Sequence, residues 1–147
     1  MGSRRKARIL AFQALYGWDM TRCPVDELLQ FGWMKGVEQE LPAWARAEKG
    51  EDTLAFSRIL VAGTIEHIED VDGAIKAHLK NWDFGRLTRV DLAVLRMSAY
   101  ALLFVPSIPA SVTIDEAIDI AKEFGADESY KFVNGVLDGI RKEGSGK

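Results

Sequence analysis

The segment VDLAVLRMSAYALLF, residues 90–104, is apolar on nearly every side, and Pro106 and Pro109 close it. A helix that is apolar all round must be surrounded by other elements, so this one is expected at the centre of the molecule. Thr88 stands where it would start. Elsewhere the apolar spacing is again helical, and no stretch alternates as a half-buried strand would. From Arg4 to Asp19, the residues Ala7, Leu10, Ala11, Ala14 and Trp18 form one stripe. Pro24 suits the first turn of a short helix reaching Leu28 and Leu29. Helices are expected over Asp52–His67, with Leu54, Ile59, Val61, Ala62 and Ile65 inside, and over Val71–Lys80. Asn81-Trp-Asp-Phe-Gly85 reads as a turn.

After Pro109, Thr113-Ile-Asp-Glu116 has the form of a capping box. It predicts a helix to Phe124 that buries Ile114, Ala117, Ile118 and Ala121, with Gly125 as a left-handed cap. Asp127 can cap a last helix burying Phe132, Val133, Val136, Leu137 and Ile140, followed by a loose EGSGK tail. Between Gln30 and Gly50 the pattern is broken by Gly32, Gly36, Pro42 and Gly50, and this stretch is expected to be mobile. The fold class is therefore all-α, a compact bundle of about seven helices. At 147 residues it is one domain, or two small subdomains sharing a core.

Catalytic and metal chemistry find little support. Hydrophobic residues are 48% of the chain, enough for a packed core. Cys23 is the single cysteine, which rules out an internal disulfide and suits a reducing cytoplasm. No apolar run reaches the roughly 18 residues of a membrane span. The leading segment is basic, as transit peptides are, but Gln13 interrupts its apolar part and no small-residue cleavage site follows. His67 and His78 lack the four-residue spacing of helical zinc ligands and read as surface or packed histidines. Asp115, Glu116, Asp119, Glu123, Asp127 and Glu128 fall at helix starts and outer faces. The run from Asn134 to Gly139 is no phosphate loop, since it follows no strand and lacks a GK[ST] ending. Gly135 inside a helix is expected to mark the close approach of another helix. No enzyme, cofactor or metal is expected.

The charge distribution is more informative. The net charge is −3, yet Arg4, Arg5, Lys6 and Arg8 crowd the start of the first helix, where they oppose its dipole. A polyanion would compensate. On a helix Arg5 leads along one row to Ile9, Gln13 and Tyr16, so cations for phosphates adjoin an amide and a phenol that can bond or stack on unpaired bases. An acidic remainder favours one confined contact over indiscriminate binding. A solvated basic end without a ligand is the competing reading.

RRKAR and LAFQALYGWDM near the start, LRMSAYALLFVPSIPASVTIDEAIDIAKEFG in the second half and SYKFVNGVLDGI at the end resemble the NusB family of bacterial transcription antitermination factors. The resemblance covers nearly the whole chain in order, apart from the stretch from Gln30 to Asp52. It implies two helical subdomains, at about residues 1–80 and 81–147, and binding of single-stranded boxA RNA in ribosomal RNA leaders together with NusE, a small-subunit ribosomal protein. Other Nus factors and RNA polymerase would join the complex, which reads through terminators in the cytoplasm. It implies no enzyme activity. Residue by residue, it places Arg4, Arg5, Lys6 and Arg8 on phosphates and Gln13 and Tyr16 on the assembly surface of the first helix. It places Phe124, Glu128, Lys131 and Phe132 near the RNA path, and Tyr16, Asp91 and Arg96 toward NusE. Phe124 and Phe132 also fit the apolar stripes, Glu128 would not hold a phosphate, and Asp91 fits the first turn behind a Thr88 cap. A protein-interaction scaffold with incidental RNA contact is the alternative function. Homodimerisation stays open, since no heptad repeat announces it. The same fold also fronts a ribosomal RNA cytosine methyltransferase; the sequence has no methyl-donor region or Pro-Cys motif, and that form is set aside.

Overall fold

The computed structural model describes residues 3–29, 51–79 and 83–145. Among these the chain forms seven α-helices and no strand. They are α1 (Ser3–Thr21), α2 (Val25–Leu29), α3 (Glu51–Glu66), α4 (Ile68–Ala77), α5 (Arg89–Phe104), α6 (Ala110–Phe124) and α7 (Ser129–Ser145), with a 3₁₀ turn at Phe84–Arg86 before α5. The stretch expected to be mobile, residues 30–50, lies outside the described residues, as do Asn81 and Trp82 of the expected turn.

The all-round apolar segment is the central helix. Asp91 to Ala99 and Ala101 are all buried on α5, which packs against α1, α3, α4, α6 and α7. The Thr88 hydroxyl accepts from the Asp91 N–H at 3.1 Å and so caps the helix. On one side α1 pairs with α3; on the other α6 pairs with α7. One contiguous core runs through both sides, drawing Leu15 and Trp18 from α1, Leu60 and Val61 from α3, Leu95 from α5, Ile120 from α6 and Leu137 from α7. Each such aliphatic side chain contributes about 1.5–3 kcal/mol on burial.

Several boundaries differ from the sequence reading, each for a visible reason. Helix α6 starts at Ala110, a turn ahead of the expected capping box, because the Pro109 carbonyl already accepts from Val112 at 3.0 Å. Thr113 is buried inside the helix, and the Glu116 carboxylate is bound to Arg5 instead of a backbone N–H. Gly125 has φ −96° and ψ −178°, which is extended and not left-handed. It is glycine for want of room: a Cβ there would lie 2.8 Å from the Ala121 carbonyl oxygen. Ile59 is 55% exposed rather than inside. Helix α7 continues to Ser145, into the tail expected to be loose.

Gly135 does not mark a helix contact. Nothing approaches its missing Cβ, and the position faces solvent. The close approach is at Gly139, where a Cβ would lie 2.6 Å from His78 Nδ1. His78 Nε2 in turn meets Glu143 Oε2 at 2.7 Å. Gly135→Ala is therefore expected to raise the unfolding free energy by about 1 kcal/mol, and Gly139→Ala to raise it less or lower it. Urea titration of the two variants checks this.

A buried ion network ties three helices together. Arg96 on α5 is 4% exposed and bonds both oxygens of Asp72 on α4, at 2.9 and 3.0 Å. Its remaining terminal nitrogen bonds Asp19 on α1 at 3.0 Å, and Arg89 reaches the other oxygen of Asp19 at 2.8 Å. Burial acts to lower the Arg96 pKa, but the bonds to Asp72 and Asp19 outweigh it and hold the group above its ordinary value.

Candidate nucleic-acid interface

The four leading cations do not form one solvent-facing row. Arg4 is exposed, and its guanidinium sits 4.2 Å from the centre of the Phe56 ring. Arg8 lies over the same ring at 5.3 Å but is 7% exposed, and burial pushes its pKa down. Lys6 is 4% exposed. Arg5 is half-buried and reaches across to α6, bonding Glu116 Oε2 at 2.9 Å and also Asp119. Its pKa is raised, chiefly by the Glu116 hydrogen bond. The expectation that Lys6 and Arg8 hold phosphates is corrected: packing of α1 against its neighbours takes both out of solvent. Arg4 stays open to an anion, and Arg5 is open only in part.

Further along α1, Gln13 and Tyr16 line a groove of about 230 Å³ with Phe12, Val90 and Phe124. The groove exists because α1, the first turn of α5 and the last turn of α6 meet there. Phe12 is buried and packs on Phe124 with ring centres 5.3 Å apart, so Phe124 is at once a core residue and a wall of the groove. Tyr16 is 36% exposed and offers a ring face and a hydroxyl. Along the helix axis Tyr16 stands roughly 18 Å from Arg4.

A second pocket, of about 290 Å³, lies between the segments that lead into α5 and α7. It shares no lining residue with the first. Its walls are Leu87, Ala126 and Phe132, its rim Arg86 and Glu128, and Asp91, Thr88 and Ser129 complete it. Ser129 shapes the turn before α7: its hydroxyl oxygen accepts from the Ala126 N–H at 3.1 Å. The same hydroxyl donates to Asp91 Oδ2 at 3.3 Å. Glu128 is exposed and paired with Lys131 at 2.9 Å, one turn along α7, so Lys131 stands outside the pocket.

The partner-facing assignments change accordingly. Arg96 is buried and bound to Asp72 and Asp19, so it braces the fold and has no surface to offer a partner. Asp91 is 7% exposed, with one carboxylate oxygen bound by Ser129 and the other buried, so its carboxylate offers little surface to a partner. The structure thus brings Gln13, Tyr16 and Phe124 together in the first pocket and Glu128 and Phe132 together in the second, and leaves Arg4 at the other end of α1, beside Phe56. The sequence reading missed Leu87, Thr88, Val90 and Ser129; the capped start of an all-apolar helix was the available signal, since its first turn must emerge from the core.

Among the described residues no three His, Cys, Asp or Glu side chains cluster as metal ligands, and no helix is long and apolar enough to cross a membrane. A model of the NusB family matches residues 5–142. The transcription antitermination protein NusB of Treponema pallidum (strain Nichols) is 48% identical over 139 residues, covering 95% of this chain and 92% of the relative. Among solved structures, NusB of T. maritima superposes with a TM-score of 0.76 at 38% identity, covering 95% of this chain and 91% of that one. A structure of the antitermination factors NusB and NusE with double-stranded RNA superposes at 0.80 and 31% identity, covering 97% and 98%. With the family matched across almost its whole length and the all-helical architecture in agreement, the chain belongs to the NusB family, whose members are transcription antitermination factors and not enzymes.

Proposed function

We propose that this chain binds single-stranded boxA RNA of ribosomal RNA leaders together with NusE, and that with other Nus factors it helps RNA polymerase read through terminators in the cytoplasm. The observation that carries the RNA contact is the groove that Gln13 and Tyr16 line with Phe124. It is aromatic and amide-bearing, as unpaired bases require, and a second pocket presents Phe132. The solved NusB–NusE complex contains double-stranded RNA. The pockets here suit splayed bases better, because bases stacked within a duplex cannot enter them.

With Lys6 and Arg8 buried, the cationic contribution is small and the partner supplies the rest of the affinity. Arg4→Ala is expected to flatten the plot of log K against log salt by about 0.7 and to weaken all sequences alike. Salt titration of fluorescent boxA and scrambled single strands, with and without NusE, measures it. Equal binding of both RNAs in the presence of NusE would defeat the reading.

The pairing of Arg5 with Glu116 and Asp119 favours a second reading, an interaction scaffold for NusE in which RNA contact is incidental. It predicts NusE binding that survives Arg4→Ala and is indifferent to RNA. A homodimer masking the same surface would show as RNA affinity that falls with protein concentration.

A further inference from the structure

Helices α1 and α6 meet at two levels. At the groove, Phe12 packs on Phe124. Seven residues earlier on α1, about 10 Å along its axis, Arg5 meets two carboxylates of α6. Glu116 Oε2 accepts from Arg5 Nε at 2.9 Å, and its Oε1 accepts from one terminal nitrogen at 3.3 Å. Asp119 accepts from that same terminal nitrogen.

The cluster is poorly suited to bracing the fold. The Arg5 and Asp119 side chains are 34% and 47% exposed, and ion pairs this open to water contribute little to stability. A brace also needs only one carboxylate. The second leaves one negative charge uncompensated and holds two like charges close together. Arg96 shows the contrast, enclosed at 4% side-chain exposure between its acids.

The arrangement has a direct consequence for a polyanion. Phosphate and carboxylate oxygens compete for the same guanidinium N–H groups. A strand running from the groove toward the basic end of α1 meets Arg5 already occupied. It must displace a carboxylate to gain that contact, which cancels much of the benefit. The two acids are not equivalent. Glu116 also helps buried Arg8 to keep its charge, so it has a task inside the protein. Asp119 is the more exposed of the two, and its place on Arg5 is the one a phosphate reaches first.

We propose that Asp119, with Glu116 behind it, occupies Arg5 in place of an RNA phosphate and so limits how tightly the bound strand is held, leaving discrimination to the groove. The proposal rests on the RNA-binding reading above. Its test is a salt titration of fluorescent single-stranded boxA and scrambled RNA with the full chain and NusE. In a chain carrying Asp119→Asn and Glu116→Gln together, Arg5 is free for one phosphate. One such contact on a single strand should steepen the plot of log K against log salt by about 0.7, which at about 0.1 M salt amounts to roughly fivefold tighter binding. Both RNAs should gain by the same factor, and Asp119→Asn alone should produce part of the change. Adding Arg5→Ala to the double variant should remove the gain and return the slope to that of the unaltered chain. Thermal melting verifies folding, and Asp119→Asn with and without Arg5→Ala carries the test if the double variant does not fold. The proposal is overturned if affinity and slope do not change, which would leave the cluster as a brace. It is overturned if affinity falls, which would make the carboxylates contacts of RNA or NusE. It is also overturned if the gain survives Arg5→Ala, which would reduce it to general repulsion. Failure of the unaltered chain and NusE to bind any boxA strand would instead remove the RNA-binding reading itself.

Discussion

Arg96→Ala is expected to lower the unfolding free energy by about 3 kcal/mol, measured by urea titration at neutral pH. The change leaves Asp72 without its bidentate partner while the carboxylate stays largely enclosed, at 19% side-chain exposure. Asp19 keeps Arg89, so its share of the loss is smaller. The figure sits at the low end for a broken buried pair because water can reach part of Asp72. The pair itself is not the source of that energy: a variant with Asp72, Asp19 and Arg96 all replaced by apolar residues should lose less than Arg96→Ala alone. Additive losses in the combined variant would contradict this account. Because the network joins α1, α4 and α5, its rupture should also loosen the groove that α1 and α5 share.

The second large effect is functional. Tyr16→Ala should weaken boxA binding by about 1–3 kcal/mol, roughly five- to 150-fold in Kd, through loss of a stacking face. Tyr16 stands more than a third exposed, so its removal should change stability by only about 0.5 kcal/mol. The salt dependence should stay the same, since no phosphate contact is removed. Phe124→Ala makes the contrast. It removes a groove wall and also the packing on Phe12, so affinity and stability should fall together. A Tyr16→Ala protein that binds boxA with unchanged affinity would take the first helix out of the RNA path.

The two outcomes reflect how far the residues could be read in advance. Helical periodicity located α1, α3, α5, α6 and α7 within a few residues, because each must turn one stripe toward a shared core and α5 must turn every face. Thr88 was legible as a cap because that interaction is local, between a side chain and a backbone N–H three residues on. The capping box at Thr113 misled for the opposite reason: its Glu116 found Arg5, a partner 111 residues away. Gly135 and Gly139 look alike in sequence, and only the position of His78 separates them.

What the sequence determined by itself is the all-helical class, the central place of residues 90–104, and a leading helix with cations at one end and Gln13 and Tyr16 beyond. These follow from spacing, charge and length, which act along the chain. The tertiary structure alone decided which cations reach water, that Arg96 is a brace and not a contact, and that Asp91 is buried against Ser129. Burial and ion pairing are set by which helices meet, and that depends on residues far apart in the chain.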